Sequence, residues 1–272
     1  MPNPTPRRIP HPYSIQHARS TKLTDPRVIA MLAPILGADY YIHRDDFDNL
    51  AMATNIYWAL ANTGAGAANP ALSTTLGIPT CIFTTGGGDP GVSTLYGTAA
   101  IHPSDDNPFM HLKFRWPANV TAFAFEIGFA NVVTTKTTQC VSALTAAAVP
   151  TVGNGLTDGV MFCLDTAFTL TTPALVGVGT SIAAAGVKLV GPRTTTAIAL
   201  TAAKWCDLYI GASVGNGYVE LYQDDALLCR AVVNSGPDTA KNLFPFISFR
   251  DHATSKVVHL NVAQIITERN TR

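Results

Sequence analysis

The stretch "FMHLKFRWPANVTAFAFEIGFANV" covers Phe109 to Val132. Met110, Leu112, Phe114 and Trp116 alternate with His111, Lys113 and Arg115. After Pro117-Ala118-Asn119 the alternation resumes with Thr121, Phe123, Phe125, Ile127 and Phe129. Period-two alternation of this kind marks two half-buried strands. Read as a hairpin, the pair has one register that keeps all the apolar residues on one face. Trp116 then faces Thr121, Phe114 faces Phe123, Leu112 faces Phe125 and Met110 faces Ile127. That register places His111 opposite Glu126 on a shared polar face, expected to be a solvated or subunit-contacting sheet surface. Burying roughly seven large side chains, at about 1.5–3 kcal/mol each before entropy, makes the pair central to the core.

Strand-and-turn signals continue outward from this pair. Short alternating runs are separated by "NTGAGAANP", "TGGGDPG", "HPSDDNP", "VGNG" and "NSGPD", which are clusters of turn residues. A second hairpin is expected from Leu208 and Ile210, through a Gly-Asn-Gly turn, to Val219 and Leu221. A tight "QDD" turn then leads to Leu227, Leu228 and Cys229, and "VVHLNVAQIITER" closes the chain as a last strand. Many short strands at this spacing fit a sandwich or barrel. At 272 residues the chain is near the upper size of one all-β domain, so one domain plus an appendage is expected.

The appendage is visible at the N-terminus. Residues 1–27 hold six of the 18 prolines and carry Arg7, Arg8, Arg19, Lys22 and Arg27 against Asp25. The arm is therefore about +4 and the remainder about −4, although the formal net charge is zero. Proline favours extended chain, so 27 residues reach up to roughly 90 Å. Ile9, Tyr13 and Ile15 add apolar anchors that a purely solvating tail does not need. "TDPRVIAMLAPILG" then reads as a short helix limited by Pro34. The expected organisation is an extended basic Pro-rich arm plus helix over 1–38 and a β-sandwich domain over 39–272.

Composition narrows the partners. Charged residues are 13% of the chain, which gives little steering towards nucleic acid or membranes. It also gives little repulsion between copies, so association is expected. The five cysteines, Cys81, Cys140, Cys163, Cys206 and Cys229, form no CxxC pair and are expected to be free thiols. Neither a signal peptide nor a membrane span is expected.

The order of "DDFDNL" with Trp58 downstream, the Phe109–Phe129 pair, "DGVMFCLD" and "WCDLYIG…GYVELYQDDALL" resembles concanavalin A-like (laminin-G-like) jelly-roll modules. In these a dGv-F strand precedes a w-l-i…g-v-f-y-dG-l hairpin. The resemblance covers about residues 43–268, and departs from the pattern where the dG turn is Asp224-Asp225-Ala226. It implies an all-β, two-sheet antiparallel jelly-roll sandwich. Similar modules occur in bacteriophage virion proteins, as capsid decoration or head-fibre domains.

The enzymes of that fold are mostly glycoside hydrolases, which need two carboxyl groups flanking the scissile bond. Laminarinase-type members place them as Glu-x-Asp-x-x-Glu on one strand. This chain has three glutamates, Glu126, Glu220 and Glu268, none near another in sequence. The aspartate clusters Asp45, Asp46, Asp48 and Asp105, Asp106 are the residual candidates for an atypical acid pair, and turn roles are commoner for such clusters. "HRDDFDN", with His43, Asp45, Asp46, Asp48 and Asn49, raises calcium as a question but lacks the EF-hand spacing. "TTGGGDPG" lacks the Lys-Ser/Thr of a phosphate loop, and GxSxG is missing. Tyr40, Tyr41, Tyr57, Tyr96, Trp205, Tyr218 and Tyr222 are the candidate platform for a sugar ring.

No catalytic set, metal site or cofactor is therefore expected. The resulting expectation is a non-enzymatic capsid decoration (cement) protein on the outside of a virion, made in the host cytoplasm. Its arm, through Arg7, Arg8, Ile9, Tyr13, Ile15 and Arg19, would bind the major capsid protein or other virion subunits. Its sandwich would self-associate, most simply as a trimer. The alternatives are a lectin-like module binding surface glycans and an atypical glycoside hydrolase.

Overall fold

The computed structural model describes residues 40–48, 57–88, 91–98, 101, 108–131, 141–142, 151–152, 156–165, 174–178, 187–189, 202–213, 218–224, 226–232 and 242–268. All of its described elements are strands. They are β1 (Tyr40–Asp45), β2 (Trp58–Thr63), β3 (Ala68–Ser73), β4 (Thr80–Thr84), β5 (Gly91–Gly97) and β6 (Phe109–Arg115). Next come β7 (Phe123–Ala130), β8 (Val141–Ser142), β9 (Thr151–Val152), β10 (Gly159–Asp165), β11 (Ala174–Val178) and β12 (Val187–Leu189). The last are β13 (Trp205–Ser213), β14 (Tyr218–Gln223), β15 (Ala226–Val232), β16 (Phe244–Asp251) and β17 (Val257–Glu268). The N-terminal arm and the expected helix lie outside the described residues.

Two antiparallel sheets form a jelly-roll sandwich. One has the order β15-β14-β13-β6-β17-β4-β3, with β1 also paired to β17, and the other has the order β12-β11-β10-β7-β16-β5-β2. A separate two-stranded ribbon joins β8 and β9. The expected hairpins around β14 are present. Leu208 pairs with Gln223 and Ile210 with Leu221, and β14 then pairs with β15. At the turn that departs from the dG pattern, Asp224 adopts φ 45°. Aspartate tolerates that left-handed conformation better than most side chains. Its backbone N–H donates to Asp207 O, and its Oδ1 accepts the Asp207 N–H, both at 2.9 Å.

The opening hairpin requires correction. β6 lies between β13 and β17, whereas β7 lies between β10 and β16 in the opposite sheet. The chain crosses the sandwich between Trp116 and Ala122 instead of turning back beside itself. Asn119 holds the crossing by accepting from the Thr121 N–H at 2.8 Å and the Thr121 hydroxyl at 2.7 Å. The apolar parity is nonetheless as read. Met110, Leu112, Phe114, Trp116, Phe123, Phe125, Ile127 and Phe129 are all buried in one core cluster. Two strands with the same apolar face can pair edge to edge or face each other, and alternation alone cannot distinguish these arrangements.

Rings bind the two layers. Trp116 meets Phe125 with centroids 5.2 Å apart, Phe114 packs edge-on to Trp116 at 4.5 Å, and Phe249 of β16 meets Phe83 of β4 at 4.9 Å. Gly128 allows β7 and β10 to approach. Its φ is +154°, and a Cβ there would lie 2.1 Å from Val160 O. Phe125→Ala should destabilise the fold by about 3–5 kcal/mol, measured by chemical denaturation. Gly128→Ala should lower Tm by opening the β7–β10 pairing, whereas Gly77→Ala, on the open β3–β4 turn with nothing within 4 Å of its Cβ position, should cost less despite its φ of +75°.

Candidate carboxylate site on the β7 sheet

Because β7 turns Phe123, Phe125, Ile127 and Phe129 into the core, its alternate residues Ala124, Glu126, Gly128 and Ala130 face outward. Register fixes their neighbours. Glu126 lies between Cys163 of β10 and Ser248 of β16. Ala124 lies between Asp165 and Arg250, and Gly128 between Met161 and Phe246. One strand further across, Thr94 of β5 is paired with Ser248 and shares the face, its hydroxyl 2.9 Å from that of Ser248. Glu126 is thus the only long side chain on a strand whose other outward residues are Ala, Gly and Ala.

Asp165 is the diagonal neighbour of Glu126 on this face. Diagonal positions on adjacent strands have Cα atoms ~7–8 Å apart. Both carboxyl residues are almost fully buried, Glu126 at 1% and Asp165 at 2% exposure. A third member is His252, just past β16, whose Nε2 lies 2.8 Å from Asp165 Oδ1. Where Asp165 is the carboxylate it can only accept, and Nε2 is then the donor.

The sequence reading missed this constellation. Neither a second glutamate nor a cluster of aspartates in the chain points to it. Asp165 stands 39 positions after Glu126, and only the β7–β10 pairing joins them. Its signal was the outward parity of Met161, Cys163 and Asp165 in "DGVMFCLD".

The other expected groupings separate. His111 and Glu126 point away from opposite faces of the sandwich, so they do not pair. His111 is 1% exposed; its Nε2 lies 2.9 Å from Asp207 Oδ1, and its ring stacks on Tyr209 at 4.4 Å. Arg115 donates from Nε to Ala203 O at 2.8 Å. The polar residues of the opening stretch therefore belong to two faces, and His111 and Glu126 are buried where a solvated surface was expected.

Asp45 accepts the Phe47 N–H at 2.8 Å, and Asp46 is paired with Arg44 at 2.7 Å. These are turn and surface roles, and no group of three His, Cys, Asp or Glu suited to a metal occurs among the described residues. Asp105 and Asp106 lie outside those residues, as do Arg7, Arg8, Ile9, Tyr13, Ile15 and Arg19. Gly86 packs on the β2–β3 turn, where a Cβ would lie 2.2 Å from Ala65 O. This close backbone approach accounts for that glycine of "TTGGGDPG". Tyr57 is buried against His43, with ring centroids 3.5 Å apart. Cys81, Cys163 and Cys206 are buried and not joined in disulfides. Burial first, then nearby carboxylates, pushes the thiols of Cys81 and Cys206 far above their ordinary range.

No protein-family model matches the chain, and no curated protein matches it. Solved structures do. LamAcat from Zobellia galactanivorans aligns with TM-score 0.55 at 7% identity, over 82% of this chain and 96% of its own. SCLam, a non-specific endo-β-1,3(4)-glucanase of glycoside hydrolase family 16, aligns with TM-score 0.53 at 8% identity, over 85% and 92%. A family 16 endo-glucanase from Bacteroides ovatus aligns with TM-score 0.51 at 8% identity, over 82% and 99%. The fold is thus the concanavalin A-like jelly roll in which these glucanases are built. The expectation of a protein without catalysis is corrected here. The solved structures that the chain resembles are endo-glucanases, and the strand register puts a carboxyl residue, Asp165, at the diagonal of Glu126.

Two histidines outside this site give the fold a pH dependence. Burial lowers His43 below its ordinary value of 6.5, partly opposed by Asp45; burial and then Arg115 lower His259. Below about pH 6.5 the unfolded chain takes up these protons while the folded chain resists them, so stability is full above that value and falls as pH drops. Tm should be lower at pH 5 than at pH 7.5, and His43→Phe should narrow the difference. An unchanged difference would contradict the assignment to His43.

Proposed function

We propose that the protein acts on a β-glucan-type polysaccharide, with Glu126 and Asp165 as the carboxyl pair of a glycoside hydrolase. The observation that carries this reading is their placement as diagonal neighbours on one outward face of the β7 sheet. The likeness to family 16 glucanases supports the substrate class. So does the LamA structure from Zobellia galactanivorans in complex with laminaritriose and laminaritetraose, whose TM-score to this chain is 0.55.

In such a reaction one carboxyl gives its proton to the leaving oxygen as the glycosidic bond breaks. The other, as carboxylate, attacks the anomeric carbon or takes a proton from the attacking water. The ~7–8 Å between diagonal Cα atoms lets a glutamate and an aspartate converge on one bond. The pattern departs from Glu-x-Asp-x-x-Glu, since the two acids come from neighbouring strands. Purified protein should release reducing sugar from laminarin or mixed-linkage β-glucan. Glu126→Gln and Asp165→Asn should each lower kcat by about 10²–10⁴-fold while retaining the fold by circular dichroism. Wild-type inactivity on both polymers, or variants as active as wild type, would overturn the hydrolase reading. Binding without turnover would leave the carbohydrate-binding part of it.

The arm supports a second element of the proposal. Its charge of about +4 and its anchors Ile9, Tyr13 and Ile15 suit a tether to neighbouring subunits of a larger assembly, the outside of a virus particle being the setting the sequence resemblance implies. Deleting residues 1–27 should release the protein from its particle and leave β-glucan hydrolysis unchanged. Full retention on the particle would contradict the tether.

A further inference from the structure

Asp165 ends β10 and His252 follows β16, two strands separated by β7 in the order β10-β7-β16. Two steps across a sheet span about 9.4–9.8 Å, yet the two side chains meet at 2.8 Å. The residue between them explains how. Asp165 is opposite Ala124, and Ala124 is opposite Arg250, two residues before His252. With alanine at positions 122 and 124, this end of β7 puts no long side chain in the way of the contact.

His252 is itself held from β7. Its backbone N–H donates to Ala122 O at 3.0 Å, and Ala122 adopts φ 48° at the start of the strand. His252 therefore connects the end of β10, the start of β7 and the end of β16 at one point. The next outward residue along β7 from Ala124 is Glu126.

We propose that His252 is a positioning residue that holds the Asp165 carboxylate over β7, on the side where Glu126 projects. This rests on the reading of Glu126 and Asp165 as the reacting pair. The described groups facing Asp165 are Cys163 on its own strand, Ala124 and then Glu126 on β7, and Arg250 and His252 from β16. The 2.8 Å contact from His252 Nε2 to Asp165 Oδ1 bears directly on where the carboxylate points. A pair of reacting groups displaced by about 1 Å loses on the order of 100-fold in rate.

The test compares His252→Ala and His252→Gln with wild type in the full chain. His252→Ala should lower kcat on laminarin about 100-fold with KM changed less than about threefold. His252→Gln, which keeps an N–H donor near the same reach, should recover at least about tenfold of that loss. Crystal structures of both variants should show the Asp165 carboxylate displaced in the first and restored in the second. A loss of Tm without loss of kcat, an effect on KM alone, or an undisplaced carboxylate in His252→Ala would overturn the proposal. If the wild type hydrolyses neither laminarin nor β-glucan, the functional reading fails by itself, and the carboxylate positions still decide the role of His252. Should His252→Ala not fold, a His252→Gln variant with Asp165 displaced and kcat fully lost would also contradict it.

Discussion

The contact between the inward faces of β6 and β7 organises the molecule. Trp116 against Phe125, with Phe114 behind it, joins the two sheets at their centres. Every outward residue of β7 is fixed by this contact, because a strand with one face in the core has no freedom of register. Glu126 is directed away from the core for the same reason that Phe125 and Ile127 are directed into it. The candidate site is thus a consequence of the packing, and the small residues Ala124, Gly128 and Ala130 leave Glu126 as the long side chain on that strand.

The sheet order then supplies what the strand alone lacks. β10 brings Asp165 to the diagonal of Glu126, and β16 brings Ser248 beside Glu126 and His252 to Asp165. Burying two carboxyl groups is costly unless each is matched by polar partners. The Asp165–His252 contact is one such match. A sheet face built only for stability would be served as well by apolar residues, as the neighbouring Met161 and Phe246 show.

Much of the fold was legible from alternation and turn residues. The strands at 109–115, 123–130, 205–213, 218–223 and 257–268 follow from period-two patterns, the strand at 159–165 from the resemblance of "DGVMFCLD" to a jelly-roll motif, and the apolar set of the first two is in the core. What alternation could not convey was whether β6 and β7 pair or oppose, since both arrangements bury the same residues. That one ambiguity misplaced His111 beside Glu126 and hid Asp165. A polar neighbour is set by strand order, which is a long-range property. At the departure Asp224-Asp225-Ala226, Asp224 takes a positive φ and its carboxylate accepts the Asp207 N–H.

The most direct test of the account is a crystal structure of the Glu126→Gln protein with laminaritetraose bound. The account places a sugar ring over the outward face of β7, β10 and β16, within hydrogen-bond distance of residue 126 and of Asp165. A sugar bound instead on the outward face of the β6 sheet, near Asp207 and Tyr209, or at the ends of the sandwich, would contradict it.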